Sequence, residues 1–233
     1  MIKRQDYDTE VFDVLFQSSA SGIDTPSGQP LHGLRSFVDL VTTIGGVLER
    51  LHLSILTSES RIELVLRLES EIDSLRDRLG QHTFDVDIRD STSTDPLKRN
   101  AAAGSVLRQI HYNWARIALR APFLRDPLLR HSSLSICARA ALAIVQFHRH
   151  VVSAALLNLP WMQVRRMTIS IYIILIAFWR GEITRSECEQ ALDSSLEVLC
   201  VLGTRWASAL QVQQIVIQLA TRSGESTCAY HLL

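Results

Sequence analysis

The sequence predicts an all-α protein, built as a single irregular bundle of seven or eight helices. Apolar residues recur at spacings of three and four along most of the chain, which is the period of an amphipathic helix. No segment shows the period-two alternation of a half-buried strand, and nothing repeats at a fixed period as a solenoid would. The 233 residues are 47% hydrophobic and 21% charged, a globular composition able to bury a substantial core in one domain or two small ones.

The expected organisation is a short helix and loop over residues 1–30, a helical domain over 31–222 and a flexible tail over 223–233. Val11, Phe12, Leu15 and Phe16 place the short helix at 6–17, and SSASGIDTPSGQP (18–30) is a loop by composition. Residues 32–56 hold Leu34, Phe37, Val38, Val41, Ile44, Leu48, Leu51 and Ile55 in helical register. Gly45 and Gly46 interrupt this helix at about 1 kcal/mol each relative to alanine, which marks a close helix crossing or a kink. Ser60 and Glu63 make a capping box for the next helix. Its Val65, Leu68, Ile72, Leu75 and Leu79 form a heptad seam that Gly80 closes. That seam serves either an antiparallel hairpin with 32–56 or a dimer contact.

Residues 81–100 are polar and turn-like, and Asp95-Pro96 is placed to start a helix running to about Arg120. Its stretch 105–124, SVLRQIHYNWARIALRAPFL, is expected in the middle of the fold. Val106, Ile110, Trp114, Ile117 and Ala121 share one face. Pro122 disfavours helical backbone at Ala121, so the chain should stop and turn Phe123 and Leu124 back onto that face. After a turn at Arg125–Ser132, residues 133–156 predict a long helix. Its inner stripe is Leu134, Cys137, Ala138, Ala141, Ile144, Val145, His148, Val151 and Val152. Asn158-Leu-Pro160 breaks it. Residues 161–179 are the most apolar helix, but the 13-residue run Met167–Trp179 is short of the about 20 apolar residues that span a bilayer. A buried core helix is expected there. Thr184 and Glu187 make a second capping box for Arg185–Leu202, which stops at Gly203. The last helix, 204–221, carries Trp206, Leu210, Val212, Ile215, Ile217 and Leu219.

Net charge is zero, with 24 basic and 24 acidic side chains. A duplex binder needs a basic surplus to neutralise phosphates, so direct nucleic-acid binding is not expected. The cysteines Cys137, Cys188, Cys200 and Cys228 form no C-x-x-C pair. They read as reduced thiols packing as small apolar groups, which implies an intracellular compartment. The N-terminal MIKRQDYDTEV has no apolar signal core, and no membrane partner is implied. His148 and His150 point to different helix faces, so no metal site follows from spacing. There is no G-x-S-x-G elbow, Gly-rich phosphate loop or H-E-x-x-H, and no cofactor is implied.

The order of these elements resembles the regulatory middle-homology domain of fungal zinc-cluster transcription factors. Family members carry a helix reading roughly tyrosine, a variable turn, isoleucine, leucine, then arginine-proline-phenylalanine-leucine. Here Tyr112, Ile117 and Leu119 precede Ala121-Pro122-Phe123-Leu124, with alanine where arginine is usual. Cys137 to Ala141 is similar to the family's next helix, FVDLVTTIGGVLERLHL (37–53) to its upstream hairpin, and LDSSLEVLCVLGTRWASA (192–209) to its late helix pair. The resemblance covers 31–222. The six-cysteine zinc cluster that reads DNA has no counterpart, so the chain is read as the C-terminal half of such a regulator, starting from its own methionine. The resemblance implies a nuclear, transcriptional, effector-responsive and often dimeric protein.

Two functions follow as expectations. The first is a regulatory module that binds a small apolar molecule or a partner regulator, without reading DNA itself, possible as a homodimer and nuclear. The second is a cytoplasmic biosynthetic enzyme, a cyclase or isomerase that folds a polyketide- or terpenoid-like substrate in an interhelical cavity. Positioning alone can lower a barrier by several kcal/mol. Its candidate acid–base or charge-stabilising groups are His111, Tyr112 and Arg116. Candidate ligand-binding residues are Tyr112, Trp114, Arg116, Trp161, Tyr172 and Trp179. The competing reading makes these aromatics core, lets the arginines reach water by their stems, and bonds Thr168 and Ser170 back to helix carbonyls. Arg165 and Arg166 read by default as a solvated face.

Overall fold

A computed structural model describes residues 29–54, 61–79, 96–153 and 162–222. Several expectations lie outside the described residues: the 6–17 helix, its loop up to residue 28, the Ser60 and Gly80 caps, the turn at 81–95, the Asn158–Pro160 break, Trp161, Cys228 and the tail. The end of that loop, Gln29 and Pro30, is instead the start of a helix, where proline is tolerated in the first turn. Among the described residues there are seven α-helices and no strand. They are α1 Gln29–Ser54, α2 Arg61–Leu79, α3 Pro96–Arg120, α4 Arg130–Ser153, α5 Met162–Trp179, α6 Arg185–Gly203 and α7 Ala207–Arg222. A 3-10 turn, Ala121–Arg125, follows α3.

Pro96 opens α3, as the Asp95-Pro96 pair predicts, because the first helical N–H needs no intrahelical partner. The helix then lies between two hydrophobic cores. Val106, Ile110 and Ile117 join the larger one, formed with α4, α5, α6 and α7, and Trp114 and Ala121 pack against it. Tyr112, Ala115 and Leu119, on the other side, join a smaller core made with α1 and α2. Phe123 departs from expectation. It packs into this smaller core, whereas Leu124 packs against the larger one, because the 3-10 turn Ala121–Arg125 turns about a third of a circle per residue and lies between the two cores.

The heptad seam of α2 is spent inside the chain. Val65, Leu68, Ile72 and Leu75 are buried with Leu40, Ile44, Val47 and Leu51 of α1. Gly45 and Gly46 mark neither a crossing nor a break: α1 is continuous, and a Cβ at either glycine meets open space. Gly45→Ala and Gly46→Ala are therefore expected to stabilise the protein, each by up to about 1 kcal/mol, seen as a higher urea midpoint.

α4 starts at Arg130, three residues earlier than the polar stretch suggests. The Asp126 carboxylate accepts from the Leu128 and Leu129 N–H groups at 2.9 and 3.3 Å, and its carbonyl accepts from Arg130. Aspartate followed by Pro127 is a helix-start signal hidden among turn-forming residues. The inner stripe of α4 is buried as expected, with Val152 half-buried, and α4 packs on α3, α5, α6 and the 3-10 turn. Ten of the 18 residues of α5 are buried, and α4 and α6 cover it. By length and composition α5 is also long and apolar enough to cross a membrane.

The end of α5 is a Schellman turn. Gly181 has φ +73°, its N–H donates to Phe178 O, and Glu182 N–H donates to Ala177 O. Gly181→Ala is expected to cost about 1 kcal/mol, measured by thermal or urea unfolding. The Thr184–Glu187 capping box is present in full, with Thr184 N–H donating to Glu187 Oε2 at 2.8 Å and Glu187 N–H to Thr184 Oγ1 at 3.2 Å. At Gly203 a Cβ would fall 2.3 Å from Leu210 Cδ2, so glycine lets α7 approach α6 closely. α7 turns Ala209, Gln213 and Val216 inward and leaves Leu210, Ile215 and Leu219 exposed. Cys137 and Cys188 are buried free thiols, and Cys200 is a half-buried one.

Candidate functional site

The polar groups of α3 divide by face, and the division decides what each can do. Toward α2, the Tyr112 hydroxyl donates to Asp73 Oδ1, and Arg76 Nη1 donates to the same hydroxyl at 3.3 Å. The Arg76 and Arg116 guanidinium carbons sit 5.5 and 5.9 Å from the Tyr112 ring centre, within cation–π range. Burial first, then the Asp73 hydrogen bond and charge, push the Tyr112 hydroxyl up to about 12. One turn on, Glu69 pairs with Arg120 and lies 4.0 Å from Arg116 Nη2. These residues join α2 to α3 side by side and enclose no apolar chamber. Tyr112 and Arg116, expected at a ligand cavity, here hold two helices in register.

Toward α5, a second polar group forms. His111 Nδ1–H donates to Leu107 O and His148 Nδ1–H to Ile144 O, each at 2.8 Å and four residues back. His148 Nε2 then lies 2.8 Å from the Gln163 side-chain amide. Burial, chiefly, holds His148 below its ordinary range, opposed by the Ile144 carbonyl and Gln163 bonds and assisted by Arg166. The Gln163 atom there is Oε1, which accepts from Nε2–H of a charged ring; a neutral ring donating from Nδ1 accepts at Nε2 and requires the amide turned over, NH2 toward the ring. His111 is pushed down to about 3, first by burial and then by the Arg166 charge. Arg166 itself is only 7% exposed, and its guanidinium carbon lies 5.7 Å from the Trp114 ring centre. Burial lowers it to about 10. It is a core residue, unlike Arg165, which is exposed as the solvated-face reading has it.

The remaining candidates separate from this region. Tyr172 and Trp179 are 64% and 59% exposed on the outer face of α5, so they line no interhelical cavity. Thr168 donates back to Val164 O at 2.8 Å, as expected, while buried Ser170 Oγ makes no such bond. A groove of about 410 Å³ runs between α1 and α2, lined by Thr43, Arg67, Ser70, Glu71 and Ser74. It lacks the apolar walls of a typical small-molecule site, and Arg50 closes on Glu71 beside it. Among the described residues no three His, Cys, Asp or Glu side chains converge as metal ligands.

Sequence reasoning missed Glu69, Asp73, Gln163 and the burial of Arg166. Glu69 and Asp73 fall on the polar flank of a heptad seam, where acidic residues are ordinary. Compared with known protein families, with curated proteins and with solved structures, the chain matches none.

Proposed function

We propose that this chain is a regulatory interaction module of the transcription-regulator type. It binds a small molecule or a partner regulator and leaves the reading of DNA to another protein. The observation that carries the choice of binding over catalysis is the state of His111 and Tyr112. One is held near 3 and the other near 12, each in a hydrogen bond that fixes it, whereas an acid–base catalyst works best near the ambient pH. Support for the regulatory part comes from the order of segments shared with the fungal middle-homology domain, and support for the DNA part from the zero net charge. A nuclear location goes with this reading.

Two measurements test it. Fused to a heterologous DNA-binding domain, the chain should alter reporter output. Native mass spectrometry after incubation with extract of the source cells should recover a bound compound or partner, unconverted. Turnover of a compound would replace this reading with the cyclase or isomerase.

A further inference from the structure

We infer that the junction of α3, α4 and the first turns of α5, centred on Arg166, binds the carboxylate of a small apolar acid. The inference rests on the ligand-binding reading above and names its site and ligand class. Arg166 is more than nine-tenths buried, and its Nη1 is fully enclosed without a hydrogen-bond partner. Among the described residues no carboxylate pairs with it, and its recorded contact is the Trp114 ring. The two other buried arginines are each given a side-chain acceptor: Arg120 has the Glu69 carboxylate, and Arg108 Nη2 donates to Ser105 Oγ at 3.0 Å. A guanidinium buried without a counter-charge is costly, and a ligand anion would supply what the described residues do not.

The surroundings define that anion. α5 has no acidic residue in its first turn, and long side chains on a helix lean toward its N-terminus. The guanidinium and the amide dipoles of the α5 N-terminus therefore act together on an anion. His111 and His148 lie near enough to feel the Arg166 charge, and both stay neutral. The junction thus carries one uncompensated positive charge, which suits a monoanion. A planar guanidinium matches a carboxylate in bidentate geometry. The apolar surface beside the guanidinium is the half-buried Trp114 ring, which packs against the larger core, so the body of the ligand is apolar. Trp114 and His111 both reach the surface in part and mark the side of entry.

The test uses the full chain with sodium benzoate and sodium octanoate, against benzyl alcohol and octanol at matched ionic strength. Thermal unfolding and titration calorimetry are the readouts. The acids should raise the Tm saturably and the alcohols should not. Arg166→Met should unfold at higher temperature without ligand, since the buried charge is gone, and should bind the acids about tenfold more weakly or worse. Arg166→Lys, charged but without the fork, should fall between. Equal responses of wild type and Arg166→Met overturn the site, as does a wild type that ignores both acids. Acids and alcohols acting alike also overturn it, while leaving a ligand-binding module in place. The module itself fails only if the reporter fusion and the extract recovery come back empty, so the two failures are distinguishable. Should Arg166→Met not fold, the Arg166 Nε–H signal in an NMR spectrum of the wild type must move on adding benzoate, and a stationary signal overturns the proposal.

Discussion

Glu69→Ala is expected to destabilise the protein by about 3 kcal/mol, the scale of breaking one partner out of a buried ion pair. Glu69 is 16% exposed and Arg120 5% at the side chain, so little water reaches the pair. Without the carboxylate, Arg120 stays buried between α2 and α3 with no counter-charge, and Arg116 loses its neighbour 4.0 Å away. The Arg116 and Arg120 Nε atoms are already enclosed without partners, so the region has no spare acceptor to offer. Chemical denaturation gives the stability change, and amide exchange locates it: protection should fall first in α1 and α2, which reach the rest of the protein mainly through α3 and the Phe123 and Leu129 side chains. A loss below about 0.5 kcal/mol would place the pair with ordinary surface bridges instead. The double variant Glu69→Met, Arg120→Met should recover most of the loss, because an apolar pair of similar volume avoids both desolvation costs.

Acidification is expected to weaken the fold well before its carboxylates are exhausted. His111 and His148 both take up a proton less readily when folded than when unfolded. The unfolded chain therefore binds more protons below about pH 6.5, and stability falls as pH drops through that window toward 3. For His111, going from 6.5 to about 3 corresponds to at most about 5 kcal/mol. Its partial exposure reduces this to about 2 kcal/mol. His148, fully buried, adds in the same direction. Glu187 acts lower down. The Thr184 backbone N–H, then Arg139, hold its carboxyl at about 2, so its contribution is present above 4.5 and lost below it. Urea midpoints at pH 7, 5.5 and 4.5 test this. His111→Gln should flatten the decline between pH 6.5 and 4.5, and an unchanged slope would show that His111 is as readily protonated folded as unfolded.

The heptad seam of α2 and the four-residue ladder of α4 were legible because each depends on contacts within a few turns of one helix. The Thr184–Glu187 box was legible for the same reason: donor and acceptor sit three residues apart. Asp126-Pro127 carried an equally local signal that the neighbouring proline and serines obscured. The candidate site was harder to read. Tyr112, Trp114 and Arg116 fall within one and a half turns of α3, and sequence spacing alone treats them as one group. They face different cores, and Tyr172 and Trp179 face water.

The sequence by itself determined that the protein is helical, where most of its described helices stop, and which stripe of each is apolar, since period, caps and proline act over one or two turns. Tertiary structure alone decided which polar groups meet. Glu69 and Arg120 are 51 residues apart, and Arg166 is buried because α5 turns it under Trp114 of α3. Partnership between helices depends on their relative rotation and offset, and neither quantity is written in the spacing of residues along one chain.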